Sequence, residues 1–298
     1  MNINAVVRPV LLCAMAGGLA LSGQSAFAEQ PEIVWYFPDL PPHYIVDGPH
    51  RGEGFHDMAL QQVIIPNLPG YTHKVRVVPM LRLLQIMKTE ANACAPSAVK
   101  SAEREQFMRF SRPDLVMLPP GLFVRRSDEA RLSAFLDARG NLILEKLLAD
   151  GRFRMGMPDG RRYGEKIDKL LGAYDGKRNL YTLKSQDAEK SLVQMASLSR
   201  IDGVFGYPYE ATYHLNSTGV EKKEELKFFR LSEQPDYTLS HVACAKGKLG
   251  DEVIKKLDAQ LSEPAVQAKL QDYYRAWLDQ TGAAELRRID KLNLLNSK

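Results

Sequence analysis

Cys94-Ala-Pro-Ser-Ala-Val-Lys-Ser-Ala-Glu-Arg-Glu-Gln-Phe-Met-Arg-Phe-Ser-Arg-Pro113, continued by Asp114-Leu-Val-Met-Leu-Pro-Pro-Gly-Leu-Phe-Val124, decides how this chain is organised. Residues 91–99 are small and apolar and read as a buried strand, followed by a polar turn and a short helix over 103–108. Residues 115–118 and 121–124 then read as one extended stretch broken by Pro119-Pro120, whose prolines cannot continue a ladder. A second extended stretch lies at 237–245. Two extended crossings imply that one lobe is inserted into another. A cleft between lobes is where binders of small molecules hold their ligands.

Upstream, Glu32-Ile-Val-Trp-Tyr-Phe37 is β-branched and aromatic, a strand stopped by Pro38-Asp-Leu-Pro-Pro42. Trp35 and Tyr36 must face opposite sides of it, one toward the core and one toward the cleft. The spacing predicts helices over 55–65 and 81–87 and a strand over 74–78. Downstream, helices are predicted over 142–148, 161–171 and 187–198, and strands over 152–157, 180–183, 202–207 and 226–231. The C-terminal part reads as helical over 250–261, then from Ser262 as N-cap and Pro264 in the first turn to Trp277. Leu270, Tyr273, Tyr274 and Trp277 form a stripe that reads as a packing face. Two blocks of alternating β and α give an α/β fold class, two lobes with largely parallel sheets and two hinge crossings. The predicted division is 29–119 plus 241–298 for lobe 1 and 120–240 for lobe 2.

The chain has 298 residues, 40 Lys+Arg, 36 Asp+Glu and three cysteines. Arg8, the apolar run over 10–21 and Ala26-Phe27-Ala28 read as a signal peptide cleaved after Ala28. Its removal takes one basic side chain and no acid, leaving 270 residues with 39 basic against 36 acidic. So small an excess does not predict nucleic-acid binding. No later apolar run has the length of a membrane span. The expectation is an exported monomer in a Gram-negative periplasm, with release into the medium as the alternative. In that compartment Cys94 and Cys244 most simply form one disulfide, worth about 2–4 kcal/mol of loop entropy; two buried free thiols are the alternative.

Catalytic motifs are absent: no G-x-S-x-G, H-E-x-x-H, C-x-x-C or G-x-x-x-x-G-K-[ST] occurs. Ser97-Ala-Val-Lys100 matches S-x-x-K, but the accompanying S-D-N and K-T-G elements are missing. The six histidines form no pair at metal-ligand spacing and read mostly as surface or capping residues. No metal or cofactor is implied. Arg104, in the first turn of the short helix, can present a planar fork to a carboxylate, with helix N-terminal amides adding donors. A surface arginine paired with Glu103 or Glu105 is the plainer reading. Arg82 reads equally as cleft-facing or solvated. Arg161 and Arg162 after Gly160 either reach an anion or are solvated.

Arg104-x-x-x-x-x-Phe110-Ser111-x-Pro113 with its crossing strand resembles the bacterial extracellular solute-binding proteins of family 3, the type II periplasmic receptors for polar amino acids and related solutes. So do the turn over 37–44, Gly52-x-Gly54-Phe55-x-Asp57, the loop over 156–164 and Asp202-Gly-Val-Phe-Gly-Tyr207. The likeness extends to an atypical, mostly uncharacterised subgroup with paired cysteines and a Tyr-Pro-x-Glu element. The resemblance implies a binding protein and no enzyme. Arg104 would grip a ligand carboxylate, Ser101 and the Gly160 loop would add hydrogen bonds, and an aromatic among Tyr36 and Tyr44 would stack on the ligand. Lys100, Asp39, Arg82, Arg161 and Tyr207 complete the expected ligand set. Where amino-acid receptors place an Asp for the ammonium, this chain has Tyr207-Pro-Tyr-Glu210, with Glu210 as the substitute. The implied partners are a small polar solute and a membrane ABC permease or sensor receptor. The rival is a periplasmic enzyme on the same scaffold, resembling cyclohexadienyl or arogenate dehydratase, with Glu210 or Asp39 as general acid. A third reading is an interaction module with a degenerate cleft.

Overall fold

The computed structural model describes residues 30–185, 187–217 and 225–290, with the side chains of 216, 217 and 290 outside the description. The expected signal peptide over 1–28 lies outside the described residues. Residues from Pro31 onward form one compact unit, to which everything below refers.

In chain order, β1 (Glu32–Phe37), α1 (Phe55–Ala59), β2 (Thr72–Val77), α2 (Met80–Thr89), β3 (Ala93–Ala98) and β4 (Met108–Met117) come first. The chain then crosses into β5 (Gly121–Arg125), α3 (Leu144–Asp150), β6 (Met155–Pro158), α4 (Glu165–Gly172), β7 (Leu180–Leu183), α5 (Ala188–Ser197), β8 (Gly203–Gly206), α6 (Pro208–Ser217) and β9 (Leu226–Arg230). It returns through β10 (Thr238–Ala245) to α7 (Lys248–Leu261), α8 (Pro264–Arg275) and α9 (Gln280–Asp290). The first sheet runs β2-β1-β3-β10-β4 and the second β7-β6-β8-β5-β9. Both are parallel apart from one strand each, β10 and β5, the strands that follow the crossings.

Each sheet is covered on both faces, as its alternating side chains require. Ile33, Trp35 and Phe37 of β1 enter one core with Phe55, Leu270 and Tyr274, while Val34 and Tyr36 enter another with Leu83, Met87 and Met108. Leu122 and Val124 of β5 likewise face a different cluster from Phe123. Cys94 and Cys244 are register partners on β3 and β10 and are disulfide-bonded, so the two-cysteine expectation holds. Gly121 sits where the chain enters the second sheet. A Cβ there would lie 2.3 Å from the Phe229 carbonyl oxygen, a contact only glycine avoids.

The structure corrects several local expectations. The short helix over 103–108 is a single 3-10 turn, Arg104–Gln106, because Met108 is drawn into β4 opposite Ala245 and Lys246 N–H donates to the Phe107 carbonyl. The helix expected from 161 begins only at Glu165. Gly164 holds a φ of 103°, a left-handed conformation that breaks the helix, and Asp168 Oδ1 accepts the Tyr163 N–H at 2.8 Å. Helical backbone does run over 55–67, but passes from α through a π segment (Leu60–Ile64) into a 3-10 turn (Ile65–Asn67). The N-cap of α8 is Glu263, not Ser262. The 3-10 run Arg126–Phe135 and helices α6 and α9 were not anticipated from periodicity.

Candidate functional site

A cavity of about 1120 Å³ lies between the two sheets, lined from both. From the first sheet the turn after β1 contributes His43 and Tyr44, and the end of β3 contributes Ser97 and Val99. From the second, the Gly160–Gly164 turn contributes Arg161 and Tyr163, and the start of α6 contributes Tyr207 and Tyr209.

Of the residues expected from sequence, Tyr36, Tyr44, Arg104, Gly160, Arg161 and Tyr207 line this cavity. Lys100, Ser101, Asp39, Arg82 and Glu210 do not. Lys100 pairs with Glu105 at 2.9 Å, and both are half exposed. Ser101 Oγ accepts the Arg104 backbone N–H at 3.3 Å. Asp39 and Arg82 are exposed. The Trp35/Tyr36 ambiguity is resolved: Trp35 is core, with its indole N–H donating to His73 Nδ1 at 3.0 Å, and Tyr36 reaches the cavity. Burial, helped by Glu90 accepting its hydroxyl at 2.7 Å, pushes Tyr36 up to about 12.

Arg161 is not solvated. It is 18% exposed and forms ion pairs with Glu189 and Glu210, with its guanidinium 5.5 Å from the Tyr207 ring centroid. Burial alone would lower it, but the Glu210 charge more than offsets that and holds it above the ordinary arginine value. Glu210, 3% exposed, also accepts the Tyr207 backbone N–H at 2.9 Å. The carboxylate expected to meet a ligand ammonium is therefore occupied within its own lobe. Arg104 differs: one guanidinium nitrogen donates to the Val99 carbonyl at 2.9 Å, and it has no ion-pair partner among the described residues.

Sequence reasoning missed a buried polar chain at the cavity wall, three of whose members, His43, Tyr209 and Ser240, line the cavity. Tyr209 Oη lies 2.7 Å from His43 Nε2, His43 Nδ1 lies 3.2 Å from His56 Nδ1, and His56 Nε2 lies 3.3 Å from Ser240 Oγ. Two facing Nδ1 atoms require one to donate and the other to accept, so the accepting ring is neutral and the two are never charged together. Burial lowers both histidines, His43 well below its usual value and His56 to about 3. Asp114, 1% exposed, lies 3.7 Å from His56 Nε2, and burial raises it to about 7. The expectation of mostly surface histidines is thus wrong: His43, His56, His214 and His241 are buried. His43 follows the Pro38–Pro42 turn and His56 opens a helix, thirteen residues apart, so no local spacing signals the pair. Among the described residues no group of three or more His, Cys, Asp or Glu side chains is arranged for a metal ion.

No protein-family model matches the chain, and no curated protein matches it. Its fold does match solved structures. It is similar to the probable amino-acid ABC transporter extracellular-binding protein ytmK from Bacillus subtilis, at 14% identity over 85% of this chain and 100% of that one, TM-score 0.60. It is similar to the periplasmic VFT2 domain of Bordetella pertussis BvgS, at 16% identity over 83% and 94%, TM-score 0.55. A third match is the ancestral amino-acid-binding protein AncCDT-1, a precursor of cyclohexadienyl dehydratase, at 13% identity over 83% and 95%, TM-score 0.56. At these identities the likeness carries the fold alone. The chain has the two-lobed α/β architecture of periplasmic binding proteins, and no helix among its described residues is long and apolar enough to cross a membrane.

Proposed function

We propose that this chain is an exported periplasmic solute-binding protein. It captures a small carboxylate-bearing ligand between its lobes and presents the closed form to a membrane ABC permease or a sensor receptor. One observation carries the reading. A cavity lined from both sheets holds, on one wall, an arginine fork without a counter-ion and, on the other, a turn fixed by an internal ion-pair cluster. A ligand touching both walls favours the closed arrangement by its differential affinity for it. The His43–Tyr209 contact joins the two walls and serves as a latch of that arrangement. The solved structures named for amino-acid binding and transport support the same reading.

The dehydratase-like alternative rests on the likeness to AncCDT-1. Its two nominated acids are poorly placed for it, since Glu210 is held by Arg161 and Asp39 is exposed outside the cavity. The experiment is a thermal-shift screen of the protein lacking residues 1–28 against organic acids and amino acids, with X-ray scattering of any hit. Binding with a reduced radius of gyration, and its loss in Arg104→Ala, is expected. Absence of any solute-dependent shift overturns the receptor reading, and turnover of a bound acid replaces it with the enzyme.

A further inference from the structure

The cavity's chemistry narrows the ligand class. Its volume of about 1120 Å³ is above the roughly 300–1,000 Å³ that holds drug-sized ligands, far more than a free amino acid fills. Much of the lining is apolar, with Leu40, Met80, Leu83, Leu84, Val99 and Met108 among its residues, and Arg104 reaches the Val99 carbonyl. Two of these are unusually open for apolar side chains, Met80 at 45% and Val99 at 55% exposure. They lie on α2 and just after β3, where Leu83, Ile86, Met87, Ala93 and Ala95 are buried in the core that holds Tyr36, whereas Leu81 of α2 is 80% exposed and does not line the cavity. Single exposed apolar residues are ordinary, but two facing one cavity beside a buried apolar wall leave a surface that a ligand can desolvate. Methionine suits such a wall because its unbranched side chain adapts to irregular shapes.

The polar groups are unevenly distributed. Arg104, Arg162 and Lys166 line the cavity and make no ion pair among the described residues. Among the lining carboxylates, Glu165 is exposed next to Lys166, and Glu233 accepts the Glu145 N–H at 3.2 Å through Oε1 while its Oε2 is buried without a hydrogen bond. Glu210, the carboxylate expected from sequence to meet an ammonium, does not line the cavity and is closed off by Arg161 and the Tyr207 N–H. His43 adds no charge because burial holds its ring neutral within the Tyr209–His56 chain.

We propose that the ligand is an amphipathic organic acid without an α-ammonium group, its carboxylate on Arg104 and its aromatic or extended apolar body on Met80, Leu84 and Val99. This rests on the receptor reading and changes its ligand from a polar solute to an amphipathic one. A charge-assisted fork on a carboxylate supplies orientation, while the apolar wall supplies most of the affinity through buried area.

The test is titration calorimetry of the dialysed protein lacking residues 1–28. One set of probes is phenylacetate, indole-3-acetate and octanoate; the other is L-phenylalanine, L-glutamate and L-arginine. Binding of at least one amine-free acid, tighter than any of the amino acids, is expected. Arg104→Ala should weaken that acid about tenfold or more. Met80→Gln with Val99→Thr should weaken it several-fold without changing the melting temperature, because both sites are open. Preference for the amino acids overturns the inference and leaves the receptor reading standing. Binding by neither set overturns the inference, and the wider solute screen then decides the receptor reading separately. Unchanged affinity in both variants, with binding intact, also overturns it by placing the ligand elsewhere.

Discussion

Replacing Asp114 with Asn should stabilise the protein in alkaline solution relative to wild type and do so progressively less as the pH falls. In the native state Asp114 is 1% exposed, and burial raises it from 3.8 to about 7. A raised carboxyl contributes stability that is full below about 3.8, where both states are protonated. That contribution falls as pH rises and is gone above about 7, where the native state holds a buried charge. The slope is about 1.4 kcal/mol per pH unit, so the whole window is worth about 4 kcal/mol. His56 works the opposite way: with burial lowering it to about 3, its contribution is present above about 6.5 and lost as pH falls toward about 3. The two slopes oppose one another between about 4 and 6.5, which conceals both in a wild-type profile. The variant separates them. Histidine titrations are common to both proteins, and any poor hydrogen bonding of the new amide costs a fixed amount, about 1–3 kcal/mol. The difference in unfolding free energy should therefore move in favour of Asn by about 1.4 kcal/mol per pH unit between about 4 and 7, then level off. Urea denaturation across that range measures it. Parallel wild-type and variant curves refute the reasoning, because they mean that Asp114 ionises at an ordinary pH.

Arg161→Met leaves Glu210 charged and buried without its counter-ion, so it should cost about 3–5 kcal/mol in chemical denaturation. Adding Glu210→Gln should recover much of that loss; no recovery means that the guanidinium acts mainly through packing on Tyr207. Reducing the Cys94–Cys244 bridge, or replacing both cysteines with Ala, should lower stability by about 2–4 kcal/mol by urea titration. Gly121→Ala forces a methyl against the Phe229 carbonyl and should cost at least about 1–3 kcal/mol, measured by thermal melting, whereas Gly140→Ala meets no atom within 4 Å and should be affected only by its positive φ.

What the chain alone carried was its local periodicity. Both sheets' strands, most helices and the two crossings were legible because β-branched runs, proline stops and 3.6-residue spacing act over a few residues. The disulfide was legible as well, since only two cysteines remain after residue 28 to be paired. Short-range reasoning failed where a distant partner competed. Met108 left its expected helix for β4 because Ala245, far along the chain, offered a ladder. The site shows the same division. Arg104, Tyr36, Tyr44, Arg161 and Tyr207 were singled out from sequence and do line one cavity. Only the fold decided that Glu210 faces Arg161, that Tyr36 and not Trp35 reaches the cavity, and that His43, His56 and Tyr209 form one buried chain. Those outcomes depend on pairs up to 166 residues apart in sequence, and on burial that removes water as their alternative partner. Periodicity can place a side chain on a face, but only tertiary packing chooses which charge or ring waits on the other side.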